Sequence, residues 1–262
     1  MKIAISGKGG VGKTTLAAVL ARVYARRGAR VLAVDADPAA SLAQALGVPP
    51  QEAAAIHPIA EMKDLIEERT GARPVTYGGL FSLNPEVDDL PDRFARSVDG
   101  VRLLVTGGLK DAAAGCYCPE NELLKVLLLH IFTERDEVVV LDMEAGIEHL
   151  TRGTTSAVDA MLVVVEPGQR SLQVAATIER LARQLGIRHV FYVANKVVDG
   201  EQEALIRRLL GDKPLLGVIR ASPAVAQADL LGQAVDRAAP ELVAQAEDIV
   251  ESLERAVVAR QA

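Results

Sequence analysis

The stretch GKGGVGKT, residues 7–14, decides the fold of this chain. It follows the apolar run KIAIS at 2–6 and precedes a helical pattern in which Leu16, Leu20 and Val23 share one face. A strand, a G-x-x-x-x-G-K-[ST] loop and a helix in this order are typical of a phosphate-binding loop. The sequence therefore predicts a strand–loop–helix unit in which backbone N–H groups surround the phosphates of a nucleotide.

The loop residues have separate expected tasks. The glycines turn the backbone toward the phosphates, Lys13 reaches the β- and γ-phosphates, and the Thr14 hydroxyl binds Mg²⁺. The residues expected to bind nucleotide are Gly9, Gly10, Val11, Gly12, Lys13, Thr14 and Thr15.

The rest of the chain alternates apolar runs with helical patterns. The further runs lie at 30–35, 101–106, 138–142, 161–166, 190–195 and 215–219. Because these runs are continuously apolar, they indicate a sheet that is covered on both faces. Helical patterns near 14–27 and 170–185 separate them. We expect an α/β fold with a single domain over 1–262, a doubly wound, mostly parallel sheet flanked by helices. The stretch 84–100, with two prolines and no periodicity, is expected to be irregular.

Composition excludes several classes of partner. The chain has 262 residues with a formal net charge of −6, and only 3% of them are aromatic, so neither phosphate attraction nor base stacking favours a nucleic acid.

Its longest aliphatic runs are far shorter than the roughly 20 residues of a membrane span. Two cysteines make no disulfide framework and the N-terminus lacks a signal-peptide pattern, so we expect a cytoplasmic protein without membrane or nucleic-acid partners.

Two acidic motifs follow predicted strands. DADP at 35–38 follows the second strand, and DMEAG at 142–146 follows the run VVVL. Asp35 is expected to help hold the water shell of Mg²⁺, and Asp142 to face Mg²⁺ from its strand end. A carboxylate in this position also often caps a helix, and that alternative stays open for both.

The loop also contains a second lysine, Lys8, and its form KGGVGKTT resembles the deviant P-loop ATPases, which include the nitrogenase iron protein and the septum-placing and plasmid-partitioning ATPases. The resemblance implies a nucleotide-bound homodimer in which Lys8 reaches the partner's nucleotide. It further implies that Asp37 orients or deprotonates the attacking water, and that Asn195 contacts adenine. The adenine contact favours ATP over GTP. The segment NKVVD at 195–199 does not match the guanine-reading N-K-x-D motif, because Asp199 lies one residue too far along.

The two cysteines form a C-x-C pair, Cys116 and Cys118, directly before Pro119 and the first turn of a predicted helix. The positive end of a helix favours thiolates, and two thiolates fill only half of a tetrahedral metal site. Because the resemblance already implies a homodimer, we expect a second copy of the chain to supply the other half, which would give an S₄ site suited to nickel, zinc, copper or a shared iron–sulfur cluster. Taken alone, the pair favours buried or redox-inert cysteines, and the inferred nucleotide-switched dimer reverses that preference.

The segments GCYCPEN, DMEAGIEHLTRGT and LNPEVDDLPDRF, together with GKGGVGKTT, resemble the CooC-type accessory ATPases over residues 1 to about 200. The resemblance implies an ATP-hydrolysing metallochaperone that supports nickel insertion into carbon monoxide dehydrogenase or acetyl-CoA synthase. Two alternatives stay open: a nucleotide-switched spatial organiser, and an ATP-dependent electron donor with a cluster across the dimer. A spatial organiser that binds anionic lipid is disfavoured, because the C-terminal helix has an acidic outer face. The electron donor is disfavoured because the two cysteines are close together in the sequence.

Overall fold

The computed structural model describes residues 1–73, 80–108, 118–144, 150 and 157–261, and eight strands within them form one sheet. The strands are β1 Lys2–Gly7, β2 Val31–Asp35, β3 Arg96–Val98, β4 Val101–Val105, β5 Val138–Asp142, β6 Ala160–Val165, β7 Val190–Val197 and β8 Leu215–Arg220. Their order across the sheet is β3-β4-β2-β5-β1-β6-β7-β8. The strand that leads into the phosphate loop therefore lies inside the sheet, between β5 and β6.

Helices connect the strands and cover both faces of the sheet. The described helices are α1 Lys13–Arg26, α2 Leu42–Ala45, α3 Pro50–Ala54, α4 Lys63–Thr70, α5 Leu90–Phe94, α6 Pro119–Thr133, α7 Gln169–Leu185, α8 Gly200–Leu210, α9 Pro223–Leu231, α10 Val235–Ala238 and α11 Pro240–Gln261. A 3₁₀ turn spans Ile59–Glu61. None of the helices in the described part of the chain is both long and apolar enough to cross a membrane.

Seven of the strands run parallel, and only β3 is antiparallel to its neighbour β4. The predicted fold class is therefore confirmed. The expectation that 84–100 is irregular is wrong in part, because α5 and β3 lie within it. These elements have five and three residues, too few to produce a helical or alternating pattern in the sequence.

Each central strand is buried on both faces, which explains its continuously apolar sequence. In β1, Ile3 and Ile5 belong to the core on one face, where α1 and α11 pack, whereas Ala4 belongs to the core beneath α6 and α7. The apolar stripe of α11 is buried in the first core, and at Gly217 of β8 a Cβ would lie 2.5 Å from Cγ1 of Ile249. Only glycine allows this helix to pack so closely on the sheet.

Arg22 connects the first of these cores to the β3–β4 turn. Its side chain, 4% exposed, donates to the carbonyl oxygens of Val98, Asp99 and Leu46 at 2.7 Å each. Its Nε lies 3.6 Å from the buried carboxylate of Asp236, which also accepts a hydrogen bond from the half-exposed Arg26 at 2.6 Å. One buried guanidinium thus satisfies carbonyl groups on two separate segments and forms an ion pair with a third.

We expect Arg22→Met to lower the free energy of unfolding by about 3 kcal/mol, because three carbonyls lose their donor and a buried carboxylate loses an ion-pair partner. Arg26→Met removes the exposed partner of the same carboxylate and should lower it by less than about 1 kcal/mol. Denaturant unfolding of both variants measures the difference. Equal losses would contradict the assigned role of Arg22.

Candidate nucleotide-binding site

The phosphate loop leaves β1 at Gly7 and enters α1 at Lys13. Gly10 and Gly12 adopt φ angles of 76° and 96°, in the left-handed region that favours glycine. Between them the Val11 side chain is fully buried and anchors the loop in the core, while Gly10 itself is exposed. The loop is thus fixed at its centre and open at its tip.

Asn195, near the end of β7, holds the loop from behind. Its Nδ2 donates to the carbonyl oxygen of Val11 at 2.8 Å, and its Oδ1 accepts from the backbone N–H of Lys196 at 2.9 Å. A Cβ at Gly12 would overlap the same Nδ2. The structure therefore places Asn195, which is 7% exposed, against the back of the loop, and its expected contact with adenine stays a prediction.

Lys196 holds Gly10, the loop residue next to Val11, and no sequence pattern predicted this role. Its Nζ donates to the Gly10 carbonyl oxygen at 2.5 Å, and its backbone adopts a φ of 58° where the β7–β8 pairing is irregular. Asp199 caps α8 by accepting the N–H of Gln202 at 2.8 Å. The N-K pair thus positions the loop, and Asp199 has a structural role at a helix start.

The order of the strands brings two predicted carboxylates to this loop. Strands β2, β5 and β1 are neighbours, and in their registers Asp142 pairs with Asp35 on one side and with Ile5 on the other. Lys13, 7% exposed, makes no ion pair with any residue in the described ranges. Its expected contact with the β- and γ-phosphates stays a prediction.

Asp142 is 1% exposed, and neither carboxylate oxygen has a hydrogen-bond partner of good geometry among the described residues. Burial, followed by the charge of Asp35, raises the pKa of Asp142 to about 7, while Thr14 and Lys13 act in the opposite direction. A buried carboxylate without donors is costly unless a cation satisfies it. This side chain therefore fits the Mg²⁺ ion that accompanies a bound nucleotide.

Asp35 is fully buried but well satisfied. Its two oxygens accept the backbone N–H groups of Leu42 at 2.8 Å and Asp37 at 3.2 Å, so it fastens the start of α2. Burial raises the pKa of Asp35 to about 6, and these N–H donors limit the rise. Asp35 thus holds the start of a helix, as the alternative expected, and its part in the Mg²⁺ water shell stays a prediction.

Two further predicted residues lie at the rim of the site. Asp37 is half-buried and its Oδ1 accepts the N–H of Ala39 at 2.8 Å. Lys8 turns back onto its own chain, where its Nζ lies 2.9 Å from Oε1 of Glu166. The roles of both in hydrolysis stay predictions.

Cys118 is the N-cap of α6 and is half-buried, with Pro119 as the first helical residue. This matches the predicted position of its thiol at a helix start. Cys116 lies outside the described residues, and so does Gly146, the end of the DMEAG motif, which is expected in a loop that responds to the γ-phosphate. Within the ranges that are described, no group of three or more His, Cys, Asp or Glu side chains is arranged to hold a metal ion.

Comparison with known proteins places this site in a family. Residues 2–235 match the model of the CobQ/CobB/MinD/ParA nucleotide binding domain, and the chain belongs to this family of P-loop ATPases. Its fold matches MinD of Aquifex aeolicus with a TM-score of 0.66 at 20% identity, covering 97% of this chain and 95% of that one.

Closer similarity is to the accessory ATPases. The chain is 49% identical over 232 residues to the carbon monoxide dehydrogenase accessory protein CooC of Rhodospirillum rubrum, with 88% of each chain covered. It is 44% identical to an uncharacterized ATP-binding protein of Methanocaldococcus jannaschii, with 90% and 91% covered. The resemblance to CooC-type ATPases is thereby confirmed.

We expect Asp142→Asn to stabilise the nucleotide-free chain at pH 8, because it removes a buried charge. Because the pKa of Asp142 is raised in the folded state, the folded chain retains a proton that the unfolded chain releases between about pH 4 and 7. The stability of the wild type therefore falls as pH rises through that window. The gain should be on the order of 1 kcal/mol, about 2–4 °C in Tm, at pH 8 and close to zero at pH 4.

Thermal unfolding at the two pH values without Mg²⁺ or nucleotide measures this effect. Asp92→Asn is the control with the opposite sign, because Arg135 and Arg102 hold the pKa of Asp92 well below its usual range. An Asp142→Asn variant that is no more stable than the wild type at pH 8 would contradict the assigned environment.

Proposed function

We propose that the chain is an ATP-hydrolysing maturation factor that dimerises on nucleotide and supports nickel insertion into carbon monoxide dehydrogenase or acetyl-CoA synthase. The observation that carries the ATPase part is the loop held at Val11 and Gly10 opposite an unsatisfied, buried Asp142. The identity of 49% with a carbon monoxide dehydrogenase accessory protein supports the choice of client.

The loop residues and carboxylates divide the work of hydrolysis. Thr14 and Asp142 would hold Mg²⁺, directly or through water, and the ion supplies neutralisation of phosphate charge. Lys13 neutralises the β- and γ-phosphates, and Asp37 at the rim orients or deprotonates the attacking water. Asp35 keeps the segment that carries Asp37 in place through the N–H of that residue, which it accepts at 3.2 Å.

Dimerisation completes the site. The side chain of Lys8 is 37% exposed at the loop rim, so it can exchange its ion pair with Glu166 for a second nucleotide in a facing copy. The charge of Lys8 then adds to that of the partner's phosphate-binding groups. Because both copies contribute one lysine, the closed dimer holds two nucleotides and depends on both.

The cysteine pair is the proposed binding site for the cargo metal. Cys116 and Cys118 of each chain together present four thiolates across the twofold axis, a set that suits nickel or zinc. The position of Cys118 at the N-terminus of α6 supports this, because the helix dipole favours its thiolate. Nucleotide binding and metal binding then favour the same closed dimer, and each tightens the other by an equal factor.

We expect Asp37→Ala to bind ATP but hardly hydrolyse it, and so to accumulate as a dimer, because the carboxylate acts on water and not on the base or sugar. Size-exclusion chromatography with Mg²⁺ and ATP, beside a phosphate-release assay, measures both effects. Lys13→Gln is the control, since it should lose turnover without accumulating dimer. An Asp37→Ala variant that stays monomeric under ATP would contradict this role.

For the metal, the shared site fixes the stoichiometry at one tightly bound ion per two chains. We expect Cys118→Ser to abolish this binding and to weaken the metal-dependent dimer, while ATP binding survives because the loop is intact. Elemental analysis of the purified dimer, with ATP binding as the control for folding, tests this. One metal per chain in the wild type, or unchanged metal in the variant, would refute the shared site.

A further inference from the structure

Glu166, which directly follows β6, lies between two lysines at the rim of the phosphate loop. Its Oε1 is 2.9 Å from Nζ of Lys8, and its Oε2 is 3.5 Å from Nζ of Lys196. These cations hold the pKa of Glu166 below its ordinary value despite the partial burial of the side chain. Its backbone N–H donates to the Oγ of Ser171, buried in the first turn of α7, at 3.0 Å. The carboxylate is therefore charged and well positioned.

The two lysines around it differ in how firmly they are held. Lys196 is tied by its Nζ to the Gly10 carbonyl as well, and its backbone is fixed by Asn195. Among the residues that the structure describes, the Lys8 side chain pairs with Glu166 alone, and it is 37% exposed. Lys8 can therefore separate from Glu166 while the positive charge of Lys196 still compensates the carboxylate.

We propose that Glu166 is a positioning residue that retains Lys8 on its own subunit until the nucleotide of a second copy competes for it. This inference rests on the proposed nucleotide-bound dimer. The Lys8–Glu166 ion pair has to break before Lys8 crosses the interface, so its strength opposes dimerisation. A nucleoside triphosphate on the partner offers Lys8 several negative charges in place of one, whereas an empty partner offers none.

The expected size of the effect follows from the exposure of the pair. Ion pairs that are partly exposed change an equilibrium by roughly 1.4- to fivefold. Each dimer breaks two such pairs, and the two factors multiply. Removing the charge of Glu166 should therefore tighten the nucleotide-bound dimer by roughly two- to 25-fold.

The experiment uses Glu166→Gln in the full chain with Mg²⁺ and a non-hydrolysable ATP analogue, and the dimer dissociation constant is measured by analytical ultracentrifugation. Glu203→Gln is the matched control. Its carboxylate also lies between two cations, Arg207 and Arg220, and its side chain is 23% exposed against 22% for Glu166. We expect a tighter dimer for Glu166→Gln and no change for Glu203→Gln.

The same comparison in a Lys8→Gln background separates retention of Lys8 from a structural effect. There Glu166→Gln should change neither dimerisation nor the affinity of the monomer for a fluorescent ATP analogue. A loss of monomer affinity would mean that Glu166 acts through Lys196 and the loop, and would overturn the proposal. So would an unchanged or weaker dimer for Glu166→Gln in the chain that keeps Lys8. A wild type that stays monomeric with the analogue would instead refute the proposed dimer itself.

Discussion

A phosphate loop has to direct its backbone N–H groups to one side, so the carbonyl groups that it turns away need donors of their own. In this protein β7 supplies them, because Asn195 donates to Val11 and Lys196 donates to Gly10. Two consecutive residues thus fix two consecutive loop carbonyls. Lys196 adopts a positive φ to do so, and such strained backbone persists only where its surroundings determine it.

The second determinant is the order of the strands. Because β2, β5 and β1 are neighbours, their carboxyl ends bring Asp35, Asp142 and the loop together. Both carboxylates are almost completely removed from water, and burial raises the pKa of each. Asp35 is compensated by backbone N–H groups, whereas Asp142 is not, so the nucleotide-free chain carries a locally unfavourable charge that a bound cation would satisfy. The uncompensated carboxylate lowers the stability of the nucleotide-free chain, and the same carboxylate favours binding of a cation.

Much of this architecture follows from local sequence patterns. The apolar runs predict seven strands because the central ones are buried on both faces, and Pro119 predicts the helix start behind Cys118. The contacts of Lys8 with Glu166 and of Lys196 with Gly10 span 158 and 186 residues, and no local pattern carries that information. Asn195 and Lys196 stand in a recognisable N-K motif, but the motif alone does not tell a base-reading amide from one that holds the loop. The short elements α5 and β3 could not be predicted in this way, because five and three residues are too few to show a periodic pattern.

The central claim is that nucleotide hydrolysis by this chain supports nickel insertion into a client enzyme. The most direct measurement is activation of nickel-free carbon monoxide dehydrogenase in vitro, with limiting Ni²⁺, Mg²⁺ and this protein, followed as carbon monoxide oxidation. We expect activation that requires both the protein and ATP and is lost when a non-hydrolysable analogue replaces ATP. Equal activation with and without ATP, or with and without the protein, would contradict it.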